Sequence, residues 1–131
     1  MSFFPLAQKQ NVAIIARVPL ERGVLSGRFT NSSAFARDDF RGRMFSEQAL
    51  APLTAAVEKL GFLVKGDVPN LAQAALRFVL SHPAVSSVIP GIRSVRQVDD
   101  NVAASGKQLP EQDVARLRQL YKSEFRSIAF H

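Results

Sequence analysis

In the segment SVIPGIRSVRQVDDN, residues 87–101, a β-branched apolar run stops at Pro90-Gly91 and gives way at once to Arg93, Gln97, Asp100 and Asn101. These types suit an anionic ligand that carries a flat ring. An arginine offers a planar, permanently charged fork to a phosphate. Gly91 lets the backbone come close to a ligand. Asp100 and Asn101 can accept from and donate to the edge of a heterocycle such as adenine. Ser94 opens a helical pattern directly after the strand end, and the free N–H groups of a helix start attract phosphate. Gln97, three residues on, supports a second reading. Ser94 and Gln97 have the spacing of a capping box, in which they satisfy each other and Arg93 faces solvent. Spacing leaves both readings open.

A second candidate is PLERGVLSGRF, residues 19–29, where Pro19, Gly23 and Gly27 punctuate a loop just after an apolar run. Parallel α/β folds place ligands at such strand ends. The loop has no Gly-Lys-Ser/Thr and no GxGxxG, so it is neither a Walker loop nor a dinucleotide fingerprint. Residues for acid–base or covalent catalysis are poorly represented. His82 sits in a turn and His131 ends the chain, with no nucleophile or carboxylate at a triad spacing. Asp38-Asp39 and Asp99-Asp100 are adjacent pairs, which on a helix diverge by about 100°. Tyr121 falls on an apolar stripe and reads as a core residue. There is no cysteine, which removes disulfides, thiolate metal sites and thiol catalysis together and fits a reducing cytoplasm.

A chain of 131 residues is long enough for one domain with a real core. No segment approaches the roughly 18 apolar residues of a membrane span, and the first residues lack the pattern of a secretory leader. Formal charge is +6, but the basic residues are spread out, and only residues 17–43 are arginine-dense. With no like-charge run interleaved with aromatics, this argues for a solvated surface or a small anionic ligand, against nucleic acid and against a membrane partner.

The positioning elements follow from periodicity. FFPLAQKQ, residues 3–10, reads as a helix tail with Leu6 and Ala7 inward. NVAIIARV, residues 11–18, is an unbroken apolar run of strand length, expected to be covered on both faces, and Pro19 ends it. Residues 19–45 read as mostly loop. Leu50, Leu53, Val57 and Leu60 predict a helix over 46–60, and Leu71, Ala75, Leu76, Val79 and Leu80 another over 70–81. SSVI is a second buried strand. Val95, Val98, Val102 and Ala103 give the next helix an apolar stripe. A last helix begins at Pro110, with Val114, Leu117, Leu120 and Tyr121 inward. The order indicates α/β architecture with parallel strands. Two such strands cannot bury both of their own faces, so the pattern reads as part of a larger fold.

Taken together, PLERGVLSGRF, LAQAALRFVLSHPAVSSVIPG and IPGIRSVRQVDDN resemble the last part of an aldo-keto reductase, over residues 4–121. The resemblance implies the C-terminal part of a (β/α)₈ barrel, with residues 1–125 a partial NADP-dependent oxidoreductase domain and 126–131 a tail. It implies that Pro19, Leu20 and Gly23 line the pyrophosphate and ribose, and that Arg28 approaches the phosphates. Gly91, Arg93 and Gln97 would surround the adenosine 2′-phosphate of NADP(H), while Asp100 and Asn101 hold the adenine. Arg17 stands where the family commonly has an aromatic residue stacked on the nicotinamide; a guanidinium can also stack on a flat ring. Val18 replaces a usual serine, and Asp100 a common glutamate. The family's catalytic Asp, Tyr, Lys and His belong to earlier segments with no counterpart here, and a whole barrel takes about 250 residues. The expectation is a nucleotide-binding part of a carbonyl reductase, inactive alone. The alternatives are a non-catalytic nucleotide-binding or regulatory module, or a remnant that associates with a missing N-terminal barrel half or with itself through open edges.

Overall fold

The computed structural model describes residues 3–27 and 47–127. Helix α1 (Phe3–Lys9) leads into strand β1 (Ile14–Arg17), and a 3-10 turn follows at Glu21–Ser26. Helix α2 (Glu47–Glu58) and a short turn at Gly61–Leu63 precede helix α3 (Leu71–Leu80) and strand β2 (Val85–Ile89). Helices α4 (Val95–Val102) and α5 (Glu111–Ser123) and a turn at Phe125–Ser127 complete the order. The expected helices thus form within a residue or two of their predicted ends. The Leu50 side chain and most of the 19–45 loop lie outside the described residues.

The two strands pair in parallel, with Ile15 opposite Ser87, Ala16 opposite Val88 and Arg17 opposite Ile89. The ladder is irregular between Ile14 and Ile15, and there the Ile14 N–H donates to Ser86 Oγ at 3.2 Å instead of to a carbonyl. Helix α3 is the crossover between the strands and packs on β2. Asn70 starts it: its Oδ1 accepts from the Gln73 N–H at 2.8 Å, satisfying one donor of the first turn. Ala74 and Leu76 are buried beneath it. The core gathers on the helix side of the sheet, where Leu60, Leu63, Val68, Ala74 and Leu109 are buried and Leu71, Leu117 and Phe125 pack around them.

Arg77, on α3, is wholly buried, 0% exposed. It donates to the Asp67 carboxylate at 2.9 Å, to the Asp67 carbonyl at 2.7 Å and to Gln73 Oε1 at 3.0 Å. That clamp ties the GDVPN break, which ends in the cap residue Asn70, to the last turn of α3.

Four sequence expectations are overturned, all for one reason. Strand β2, expected to be buried, has no buried residue, and Ser86, Ser87 and Ile89 are exposed. Strand β1 is not covered on both faces: Ile14 and Ala16 are half-buried while Ile15 and Arg17 are exposed. The valine stripe of α4 is not a buried face; Val95 is 78% exposed, Val98 and Val102 are exposed too, and no residue of α4 is buried. Tyr121 is exposed rather than in the core. The apolar pattern marks a surface fit for burial, but burial needs a neighbour. The sheet has two strands and is open, so the inner face holding Ile15 and Ile89 has nothing packed on it among the described residues. Residues 125–127, where the sequence shows no clear pattern, form a turn from which Phe125 packs against the core.

Candidate functional site

Because the strands are parallel and in register, both loops leave the sheet at the same end, with Arg17 beside Ile89. The loop after β1 and the start of α4 therefore face each other across a cleft of about 700 Å³. Arg17, Leu20, Gly23, Gly91, Arg93, Gln97, Asp100 and Asn101 border it. Pro19 is buried behind the wall instead of lining it, because it caps the strand end. The expected contact from Arg28 lies outside the described residues.

The β1 loop is bent by unusual backbone. Val18 (φ 56°), Glu21 (φ 43°), Arg22 (φ 53°) and Gly23 (φ 100°) all take positive φ. Only the glycine does so freely. A β-branched residue there, directly before a proline, is a conformational outlier held by its surroundings. The turn is closed by Ser26 Oγ donating to the Gly23 carbonyl. Arg22 is engaged by its neighbour Glu21 at 2.7 Å. Gly91 differs: its φ is not positive and a Cβ there would meet open space, so no backbone demand excludes a side chain.

On the other wall, Ser94 caps α4 by accepting from the Gln97 N–H at 3.3 Å. The Gln97 side chain turns back and accepts from the N–H of Arg93, one residue before the cap, a variant of the capping box in which the return bond misses the cap residue itself. Gln97 also borders the cleft. Positions 93, 97, 100 and 101 share one side of α4 and the valines take the other, so the helix is amphipathic about the cleft and not about a core. The side chains of Arg17 and Arg93 make no ion pair among the described residues. Arg96 lies 3.9 Å from Asp100. The cleft thus has more cationic than anionic groups and a helix start at its wall, an arrangement that favours an anion. Asn101 Nδ2 is buried with no hydrogen-bond partner. A buried orphan donor is costly unless something accepts from it.

Sequence reasoning missed Arg22, Ser26, Asn70 and Arg96 at this cleft. Asn70 had a usable signal, an N-cap residue after a Pro-containing break. Arg96 had one as well, being three residues from Arg93 and four from Asp100. His82 has a structural role: its Nδ1 accepts from the Ala84 N–H at 3.1 Å, and its ring lies 4.3 Å from that of Phe4. A second hollow of about 550 Å³, walled by Leu60, Leu71, Phe78 and Tyr121 among others, is almost wholly apolar. The described residues contain no cluster fit to bind a metal and no helix long and apolar enough to cross a membrane.

Comparison with known proteins decides the family. A model of the aldo/keto reductase family matches residues 2–122. This chain belongs to that family. An aldo-keto reductase of Strobilurus tenacellus is 29% identical over 116 residues, 87% of this chain and 34% of its own length. Pyridoxal 4-dehydrogenase of Microbacterium luteolum is 30% identical over 116 residues, 88% of this chain and 31% of its own. Among solved structures, a glycerol dehydrogenase of Gluconobacter oxydans superimposes with a TM-score of 0.79 at 24% identity, covering 94% of this chain and 38% of that one. An aldo-keto reductase of Bacillus halodurans in its holo form gives 0.60 at 25% identity, covering 90% and 35%. This aldo/keto reductase chain therefore spans about a third of the length of such relatives, and its fold is the corresponding part of their barrel, with the sheet open.

Proposed function

We propose that the cleft holds the adenosine end of NADP(H) and that the chain contributes the nucleotide-binding part of an aldehyde or ketone reductase. The observation that carries this reading is the convergence, at one strand end, of Arg17 and Arg93, which make no ion pair among the described residues, with the buried amide of Asn101. Arg93 would hold the 2′-phosphate with the first-turn N–H groups of α4 beside it. Asn101 Nδ2 would donate to a ring nitrogen of adenine, and Asp100 would accept from its amino group. Leu20 and Gly23 would let the pyrophosphate lie close to the backbone, and Arg17 would stand at the strand end nearest the reacting ring. When bound, the cofactor supplies hydride for carbonyl reduction; the proton donor of that reaction has no counterpart among the residues around this cleft.

Fluorescence titration with NADPH and NADH tests this. The expected result is weak binding that favours NADPH, with the preference abolished in Arg93→Ala. Equal affinity for the two nucleotides would remove Arg93 from its assigned place. No turnover of a generic aldehyde by this chain alone is expected, and measurable turnover would refute that part. A second reading, association through the open sheet, is favoured by the bare Ile15, Ile89 and α4 valines; the occupant would be a missing barrel half or another copy.

A further inference from the structure

We propose that Arg96 is a second reader of the nucleotide's phosphomonoester, acting with Arg93 as a two-armed clamp; this rests on the nucleotide reading above. A phosphomonoester carries close to two negative charges and three strong acceptor oxygens, more than one guanidinium fork can satisfy. Arg93 precedes the cap of α4 and Arg96 lies in its first turn, so the two side chains flank the same set of free N–H groups. Both border the cleft. The Arg96 side chain is 85% exposed, and its only partner among the described residues, Asp100, is 3.9 Å from Nε. That separation exceeds hydrogen-bond reach, and no side-chain hydrogen bond engages Arg96 among the described residues. The other cleft arginines are less suited. Arg22 is occupied by Glu21 at 2.7 Å. Arg17 stands at the end of β1, the other strand from the one that leads into α4. The i, i+4 link to Asp100 gives Arg96 a resting position beside the residue assigned to adenine, from which a phosphate would draw it.

The test is calorimetric titration of the full chain with adenosine 2′,5′-bisphosphate and with AMP, which differ only by that phosphomonoester. Arg96→Ala is expected to weaken the bisphosphate about tenfold, the low end for a charge-assisted contact at an exposed site, and to change AMP binding less than about twofold. Arg96→Lys is expected to restore part of the loss. Arg126→Ala removes the same charge elsewhere and is expected to change neither affinity. If Arg96→Ala weakens both compounds equally, or neither, while Arg93→Ala still abolishes the preference for the bisphosphate, the clamp is wrong and the nucleotide reading stands. If the unaltered chain does not prefer the bisphosphate, both fall.

Discussion

Replacing Arg77 by leucine should destabilise the chain modestly, and the structure indicates which loss dominates. Arg77 is 0% exposed and donates three hydrogen bonds. Two go to Asp67, one to its carbonyl and one to its carboxylate, and the side chain is 68% exposed, so water can take the place of the guanidinium at the carboxylate at little cost. The third goes to Gln73 Oε1, which is buried, and no water replaces it. An orphaned buried acceptor costs about 1–3 kcal/mol. Against this, Arg77 Nε is itself buried with no partner, and leucine removes that defect. The net expectation is a loss of about 1–2 kcal/mol, below what alanine would cause, since alanine adds a cavity worth about 2 kcal/mol or more. For a chain of this size that corresponds to a fall in Tm of roughly 3–8 °C, measured by circular dichroism at the helix band. The decisive arm is the double variant Arg77→Leu/Gln73→Leu. With the stranded amide gone, it should be more stable than Arg77→Leu alone, giving a favourable coupling in the double-mutant cycle. A double variant no more stable than the single would refute the assignment of the cost to Gln73 and place it in the Asp67 pair.

Three further outcomes follow from particular residues. The hydrogen bond from Arg77 holds the Asp67 carboxyl below its ordinary 3.8, helped by the charges of Arg77 and Lys107 and opposed by what burial it has. Its contribution to stability should therefore be complete above pH 3.8 and decline as pH falls, because the unfolded chain takes up the proton first; acid titration of unfolding midpoints should show a slope in that window that Asp67→Asn lacks. Gly23→Ala, at φ 100°, should cost on the order of 1–2 kcal/mol, whereas Gly91→Ala, facing open space, should leave the midpoint nearly unchanged; equal effects in urea melts would contradict the backbone account. Val95→Ser/Val102→Ser should lower the average mass seen by light scattering if the bare face of α4 drives association, since both side chains are exposed.

Much of the cleft was legible because its determinants are local. Pro19 ends a strand wherever it occurs, Ser94 with Gln97 marks a helix start from four residues of text, and parallel strands of equal polarity must release both loops at one end. Arg17, Leu20, Gly23, Gly91, Arg93, Gln97, Asp100 and Asn101 border one cavity for that reason. What was not legible depends on matter facing the residue and not on the residue itself. Val95, Val98 and Val102 repeat at helical spacing whether or not anything packs on them, and in this chain the polar side of the same helix, not the apolar one, meets a wall. The strain at Val18 was hidden too, since nothing in its type calls for positive φ; it follows from steering a chain off a strand end into a buried proline. Arg77 shows the converse. An arginine in a helical apolar stripe reads as a surface residue, yet Arg77 is buried and holds Asp67, in the break that ends in Asn70 at the cleft. The candidate surface is thus held in place from behind, by a buried arginine paired with the exposed Asp67, neither of which is a residue assigned to the ligand.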